Sequence, residues 1–134
     1  MINIHVCNAW SLGAWVKMDL LAYEKRRPKI SIDVFLEPQQ HSDRLQGYVQ
    51  KIGMPSLMHG ASTKNHIWIF WDSSTQVERL EVSDQHISTR ISIGNQSFFF
   101  TFVYAKCDVV ARESLWLDLG SFNPRSYAWL VGGL

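Results

Sequence analysis

A chain of 134 residues, 46% of them hydrophobic, has the size and apolar content for one globular domain with a core, which excludes a mainly disordered chain. The formal net charge of +1 excludes a strong overall electrostatic attraction to nucleic acid or membrane, although a local basic patch need not show in the total. The two cysteines, Cys7 and Cys107, lie far apart with no CxxC pair, which reads as free thiols in a reducing compartment and excludes a disulfide framework.

The five histidines (His5, His41, His59, His66 and His86) are scattered and lack zinc-site spacing. The segment Met1–Val6 has no basic region followed by a long apolar stretch, so no secretory signal is expected. No apolar run reaches the roughly 18 residues that span a bilayer. The expectation is an intracellular chain, in nucleus or cytoplasm, without a membrane partner. Six tryptophans within an aromatic share of 13% read as large core and strand residues.

Ile2–Asn8 is a short apolar run and predicts a strand. From about Ala14 to Arg27 the period changes, and Trp15, Met18, Leu21 and Ala22 share one helical face. Lys25, Arg26 and Arg27 favour the negative end of that helix, and Pro28 stops it. Ile30–Glu37 is rich in β-formers and ends at Pro38. Ser42 is a plausible N-cap for a helix carrying Leu45, Tyr48, Val49 and Ile52, with Gly53 at its C′ position.

A run of strands follows. His66–Trp71 is continuously apolar or aromatic, as a strand buried on both faces would be. Gln76–Val82 is more polar and suits an outer strand. Ile87, Ile91 and Ile93 alternate with Ser88, Arg90 and Ser92, which predicts one buried and one wet face. Gly94-Asn95 is a two-residue hairpin signal, and Phe98–Ala105 is the returning strand. Asp108 then caps a helix with Leu115, Trp116 and Leu119, closed by Gly120. After a polar loop, Ser121–Ser126, the apolar strand Tyr127–Val131 runs into Gly132-Gly133-Leu134. The order β-α-β-α-β-β-β-β-α-β, with antiparallel hairpins between two parallel units, predicts a mixed α/β sheet rather than a simple doubly wound one.

In α/β proteins ligands gather at the carboxyl ends of strands. Polar residues stand at such ends here: Asn8 after the first strand, Glu37 after the second and Tyr104 near the end of the Phe98 strand. On spacing alone each has an ordinary alternative. Glu37 before a proline would be merely solvated, Asn8 would be a turn residue, and Tyr104 would continue the stripe Phe98, Phe100, Phe102.

Four segments carry a family resemblance in the same order. Val6-Cys7-Asn8 resembles a first strand with a terminal Asn. Phe35-Leu36-Glu37-Pro38 resembles a second strand ending in a metal-binding Glu. Thr101-Phe102-Val103-Tyr104-Ala105 resembles a strand ending in an active-site Tyr. Trp129-Leu130-Val131-Gly132-Gly133 resembles a strand that normally runs on into Asp-Phe-Asn. Ile67–Trp71 and Asp84-Gln85-His86-Ile87 add less specific support. The chain thus resembles the endonuclease/exonuclease/phosphatase superfamily, with its deoxyribonuclease I-like α/β sandwich. It is most similar to the N-terminal endonuclease domain of plant LINE-type (non-LTR) retrotransposons.

That resemblance implies hydrolysis of phosphate esters, DNA as partner, and a bound divalent cation, usually Mg²⁺. A phosphoryl transition state spreads negative charge over its oxygens, which a metal and polar donors stabilise. By resemblance Glu37 holds the metal, Asn8 orients the metal site and phosphate, and Tyr104 donates to the phosphoryl oxygens. The sequence also departs from the pattern. Cys7 replaces the usual Trp before the Asn, Gly13 stands five positions after Asn8, and Pro28–Glu37 is slightly long. No Asp-x-Asn follows Gly133, and the later Asp and His are absent. The expectation is a partial domain, truncated at its C-terminus and catalytically incompetent alone, because members of a catalytic unit are not dispensable one by one.

Two further readings stay open. The alternating Phe98, Phe100, Phe102 and Tyr104 could stack bases in a non-catalytic nucleic-acid-binding module, although they are expected to pack under a helix. The chain could also be a relic of a mobile element without a role.

Overall fold

The computed structural model describes residues 4–8, 31–36, 53–54, 56–59, 66–122 and 128–133. Among these residues eight strands run in the order β1 (Ile4–Asn8), β2 (Ile32–Leu36), β3 (Ser56–His59), β4 (Ile67–Trp71), β5 (Thr75–Val82), β6 (His86–Ile93), β7 (Gln96–Val103) and β8 (Trp129–Gly133), and one helix, α1 (Val109–Ser121), lies between β7 and β8. The helices expected over 14–27 and 42–52 lie outside the described residues. Gly53, the predicted C′ residue of the second of these, has a φ of 75°, the left-handed backbone that glycine adopts without strain.

The strands form two four-stranded sheets, β1-β2-β4-β3 and β5-β6-β7-β8. Each sheet is mixed: β1 and β2 are parallel, as are β7 and β8, and the remaining pairs are antiparallel. The predicted α/β sandwich is the observed architecture, with its parallel pairs at opposite ends of the chain.

The two sheets share one core. Ile32, Val34 and Leu36 of β2 and Ile67 and Ile69 of β4 meet Ile87 and Ile91 of β6 and Phe102 of β7. Burying each such side chain contributes about 1.5–3 kcal/mol. The opposite face of β2 and β4 is buried as well: Phe35, Trp68 and Phe70 are fully covered, and the Phe35 and Phe70 rings lie 5.5 Å apart. Burial on both faces explains why Ile67–Trp71 shows no alternation in the sequence.

Beneath α1, hydroxyls fill the outer face of the second sheet. Trp129 donates its indole N–H to Thr101 Oγ1 at 2.9 Å, and Thr101 lies 2.9 Å from Ser88 Oγ. Ser88 is therefore buried, not wet as the alternation predicts; only from Arg90 outward is that face of β6 open. Gly94-Asn95 does form the two-residue connection, with Ile93 opposite Gln96 and Gly94 at φ 60°.

Three other expectations are corrected. β3 was not predicted: it has four residues, follows Pro55 and pairs with β4 alone, too short to show a period. Gly120 sits inside α1, which ends at the cap residue Phe122 through a bond from its N–H to Asp118 O. The ring of Phe122, wedged between Phe99 and Trp129, fixes the exit of the chain in place of a glycine turn. Trp116 points outward at 57% exposure, while Leu115 is fully buried. Asp108 caps the helix as predicted, accepting from the N–H groups of Val110 and Ala111.

Candidate active site at the strand ends

Parallel pairing brings like strand ends together. In the first sheet Asn8 stands opposite Leu36, so the carboxyl ends of β1 and β2 are neighbours. In the second, Val103 stands opposite Gly133, so the carboxyl ends of β7 and β8 are neighbours. Tyr104 follows Val103 directly. The four segments singled out in the sequence thus end in two adjacent pairs.

A stack of rings joins the two pairs. His66 immediately precedes β4, whose first residue, Ile67, pairs with Leu36. It therefore stands at the carboxyl end of β2. Its ring lies 5.1 Å from that of Tyr104, with 27° between the planes, an offset-stacked arrangement. One ring belongs to each sheet, so the end of the sandwich holding Asn8 and Leu36 is also the end holding Tyr104 and Gly133.

The segment after β7 is pinned by Gln85, which is 1% exposed. Its carbonyl accepts from the Tyr104 N–H at 2.8 Å, and its side-chain Oε1 accepts from the Lys106 N–H at 2.9 Å. Its Nε2 donates to Ala111 O at 2.8 Å and lies 3.3 Å from Ser114 Oγ. Every polar atom of the buried amide is used, as burial demands. Lys106 and Asp84 form an ion pair beside it, each nearly half exposed and hence of small energetic weight.

Gly133 answers to the same geometry. Its φ is 146°, and a Cβ there would lie 1.9 Å from the Val103 carbonyl oxygen. Only glycine lets β8 approach the end of β7 so closely.

Of the sequence-predicted site residues, Tyr104 is half-buried and packs against the core cluster at this rim. Asn8 has its backbone at the rim, and its side chain lies outside the described residues. Glu37, the expected metal ligand, also lies outside them. Among the described residues no group of three His, Cys, Asp or Glu side chains is placed to hold a metal ion. The donor chemistry of Asn8 and Glu37 nevertheless suits Mg²⁺. Both offer oxygen, and Mg²⁺ needs only one or two carboxylates beside its waters.

Sequence reasoning missed His66 and Gln85. Each is a single polar residue next to an apolar strand, and only tertiary pairing distinguishes it from a solvated turn residue.

The aromatic stripe is also redefined. Phe98, Phe100 and Phe102 face the other sheet rather than a helix; α1 covers the opposite side. Phe102 is fully buried, and Phe100 stacks on it at 4.3 Å. Their side chains are occupied by the sandwich core, which removes the surface that a base-stacking sheet would need. No helix among the described residues is long and apolar enough to cross a membrane. Cys107 is a free, exposed thiol.

No protein-family model matches the sequence, and neither does any curated protein. Solved structures do match. The endonuclease domain of TRAS1, a telomere-specific non-LTR retrotransposon, superposes with a TM-score of 0.72 at 14% identity, covering 98% of this chain and 59% of that one. TDP2 of D. rerio, complexed with a single-strand DNA product, gives 0.70 at 9% identity, covering 98% and 59%. An endonuclease/exonuclease/phosphatase family protein of Leptotrichia buccalis gives 0.65 at 11% identity, covering 99% and 66%.

The chain has the endonuclease/exonuclease/phosphatase fold, the deoxyribonuclease I-like α/β sandwich. It spans about three fifths to two thirds of the length of these structures.

Proposed function

We propose that the chain contributes one side of the active site of a Mg²⁺-dependent phosphodiesterase acting on DNA, of non-LTR retrotransposon origin. The observation that carries this reading is the His66–Tyr104 stack, which sets the carboxyl ends of β1 and β2 beside those of β7 and β8. The likeness to the TRAS1 endonuclease domain supports the choice of class. Glu37 is the carboxylate that would hold the cation, with Asn8 as the neighbouring oxygen donor. Bound there, the cation would neutralise charge developing on phosphoryl oxygens. The hydroxyl of Tyr104 supplies a hydrogen bond to the same oxygens.

One experiment tests this site. Mn²⁺ titrated into the isotope-labelled chain should broaden the backbone resonances of Asn8 and Tyr104 before those of β5, and Glu37→Ala should remove the effect. Broadening that ignores this rim would refute the site.

A further inference from the structure

We infer that His66 is a positioning residue for Tyr104, holding the phenol ring across the seam between the two sheets. The inference rests on the functional reading above only for its consequence; the contact itself is independent of it.

Tyr104 lies just beyond β7, whose last ladder residue is Val103. Its backbone is fixed by the bond to Gln85, but that bond leaves rotation about χ1 and χ2 free. The plane of the ring must be set by what touches it. On one side it rests on the core cluster, and on another it stacks with His66 at 5.1 Å and 27°. His66 is itself placed by β4, which is bonded on both sides, to β2 and to β3. A side chain at the head of a strand paired on both sides in the first sheet thus fixes a side chain just beyond the end of β7 in the second.

The line of the Tyr104 hydroxyl follows the ring plane. If the hydroxyl serves a phosphoryl oxygen, His66 sets its reach relative to Asn8 and Glu37. Catalytic groups held even 1 Å out of place lose much of their effect, so a ring that merely stacks matters as much as one that bonds. The requirement is a flat ring and not an ionisable one, which makes the proposal separable from a structural role.

The test uses the 134-residue chain with ring-labelled tyrosine, the Tyr104 signal being assigned with Tyr104→Phe. His66→Ala should abolish the ring-current shift of Tyr104 while leaving the backbone spectrum of β5–β7 unchanged. His66→Phe should restore a ring-current shift. Mn²⁺ broadening of the Tyr104 ring should fall in His66→Ala and return in His66→Phe, with broadening of the Asn8 amide constant throughout. A Tyr104 signal indifferent to His66→Ala overturns the inference, as does recovery that fails with Phe despite an intact fold. If Mn²⁺ broadens nothing at the rim of the unaltered chain, the functional reading fails while the ring-current result still judges the contact.

Discussion

Phe102→Ala is expected to lower the stability of the chain by about 3–5 kcal/mol, the cost of removing a fully buried aromatic ring from a core. The ring is 0% exposed and meets β2, β4 and β6 at the centre of the sandwich, with Phe100 stacked on it at 4.3 Å. Small domains are stable by only about 5–15 kcal/mol in total. A single truncation here therefore removes a large part of that margin. Strands on both sides limit collapse into the vacated space, which places the cost toward the upper end. Phe98→Ala, at a half-buried position further along the same strand face, should cost clearly less. Urea melts of the two variants check the ranking; equal midpoints would mean that the sheets do not share this core.

Gln85→Leu is the second large effect, and it acts through hydrogen bonds instead of volume. Leucine fits the space of the amide but offers nothing to the Lys106 N–H, which Gln85 now satisfies, while the Ala111 carbonyl loses one donor and keeps the Ser114 hydroxyl. Each buried polar group left without a partner costs about 1–3 kcal/mol. The backbone carbonyl of residue 85 would still accept from Tyr104, so β6 and β7 should stay paired. The expected result is a loss of about 1–3 kcal/mol with a local signature: fast amide exchange at Lys106 and through the first turn of α1, and slow exchange retained in β6. Gln85→Glu separates the two halves of the interaction. It keeps the acceptor for Lys106 and loses the donor to Ala111, so it should protect Lys106 more than leucine does. Uniform exchange changes across the whole domain would contradict this assignment.

The strands with strong apolar runs were legible in the sequence. β2, β4, the β6–β7 hairpin and the Asp108 cap are each decided by residues within a dozen positions, so local pattern suffices. β3 was not legible, because four residues carry no period and only its bonds to β4 make it a strand. Gly120 misled for a related reason: the end of α1 is set by Phe122, which packs between Phe99 and Trp129, partners distant in sequence. The buried Ser88 shows the same limit, since a serine on the outward face reads as wet until a helix is laid over it.

The candidate site divides in the same way. The strand-end positions of Asn8 and Tyr104 follow from where apolar runs stop, and the parallel registers place their strands. The contributions of His66 and Gln85 come from contacts between segments that sequence spacing does not connect. The sequence reading places His66 at the start of an apolar strand and Gln85 within Asp84–Ile87, with no site role for either.

The two strand orders have a consequence for how the chain acquires its structure. β5, β6 and β7 lie side by side in the order in which they are made, so they can zip together as successive hairpins with short loop closures. β4, by contrast, is inserted between β2 and β3, both synthesised before it. The first sheet cannot be completed until the segment Ile67–Trp71 has left the ribosome, and until then the apolar β2 has only β1 for a partner. The strands β1 and β2, translated before the other described strands, should thus be among the last to be fastened. Pulse-labelled amide exchange during refolding should find β6 and β7 protected before β1; the reverse order would show that the parallel pair nucleates folding instead.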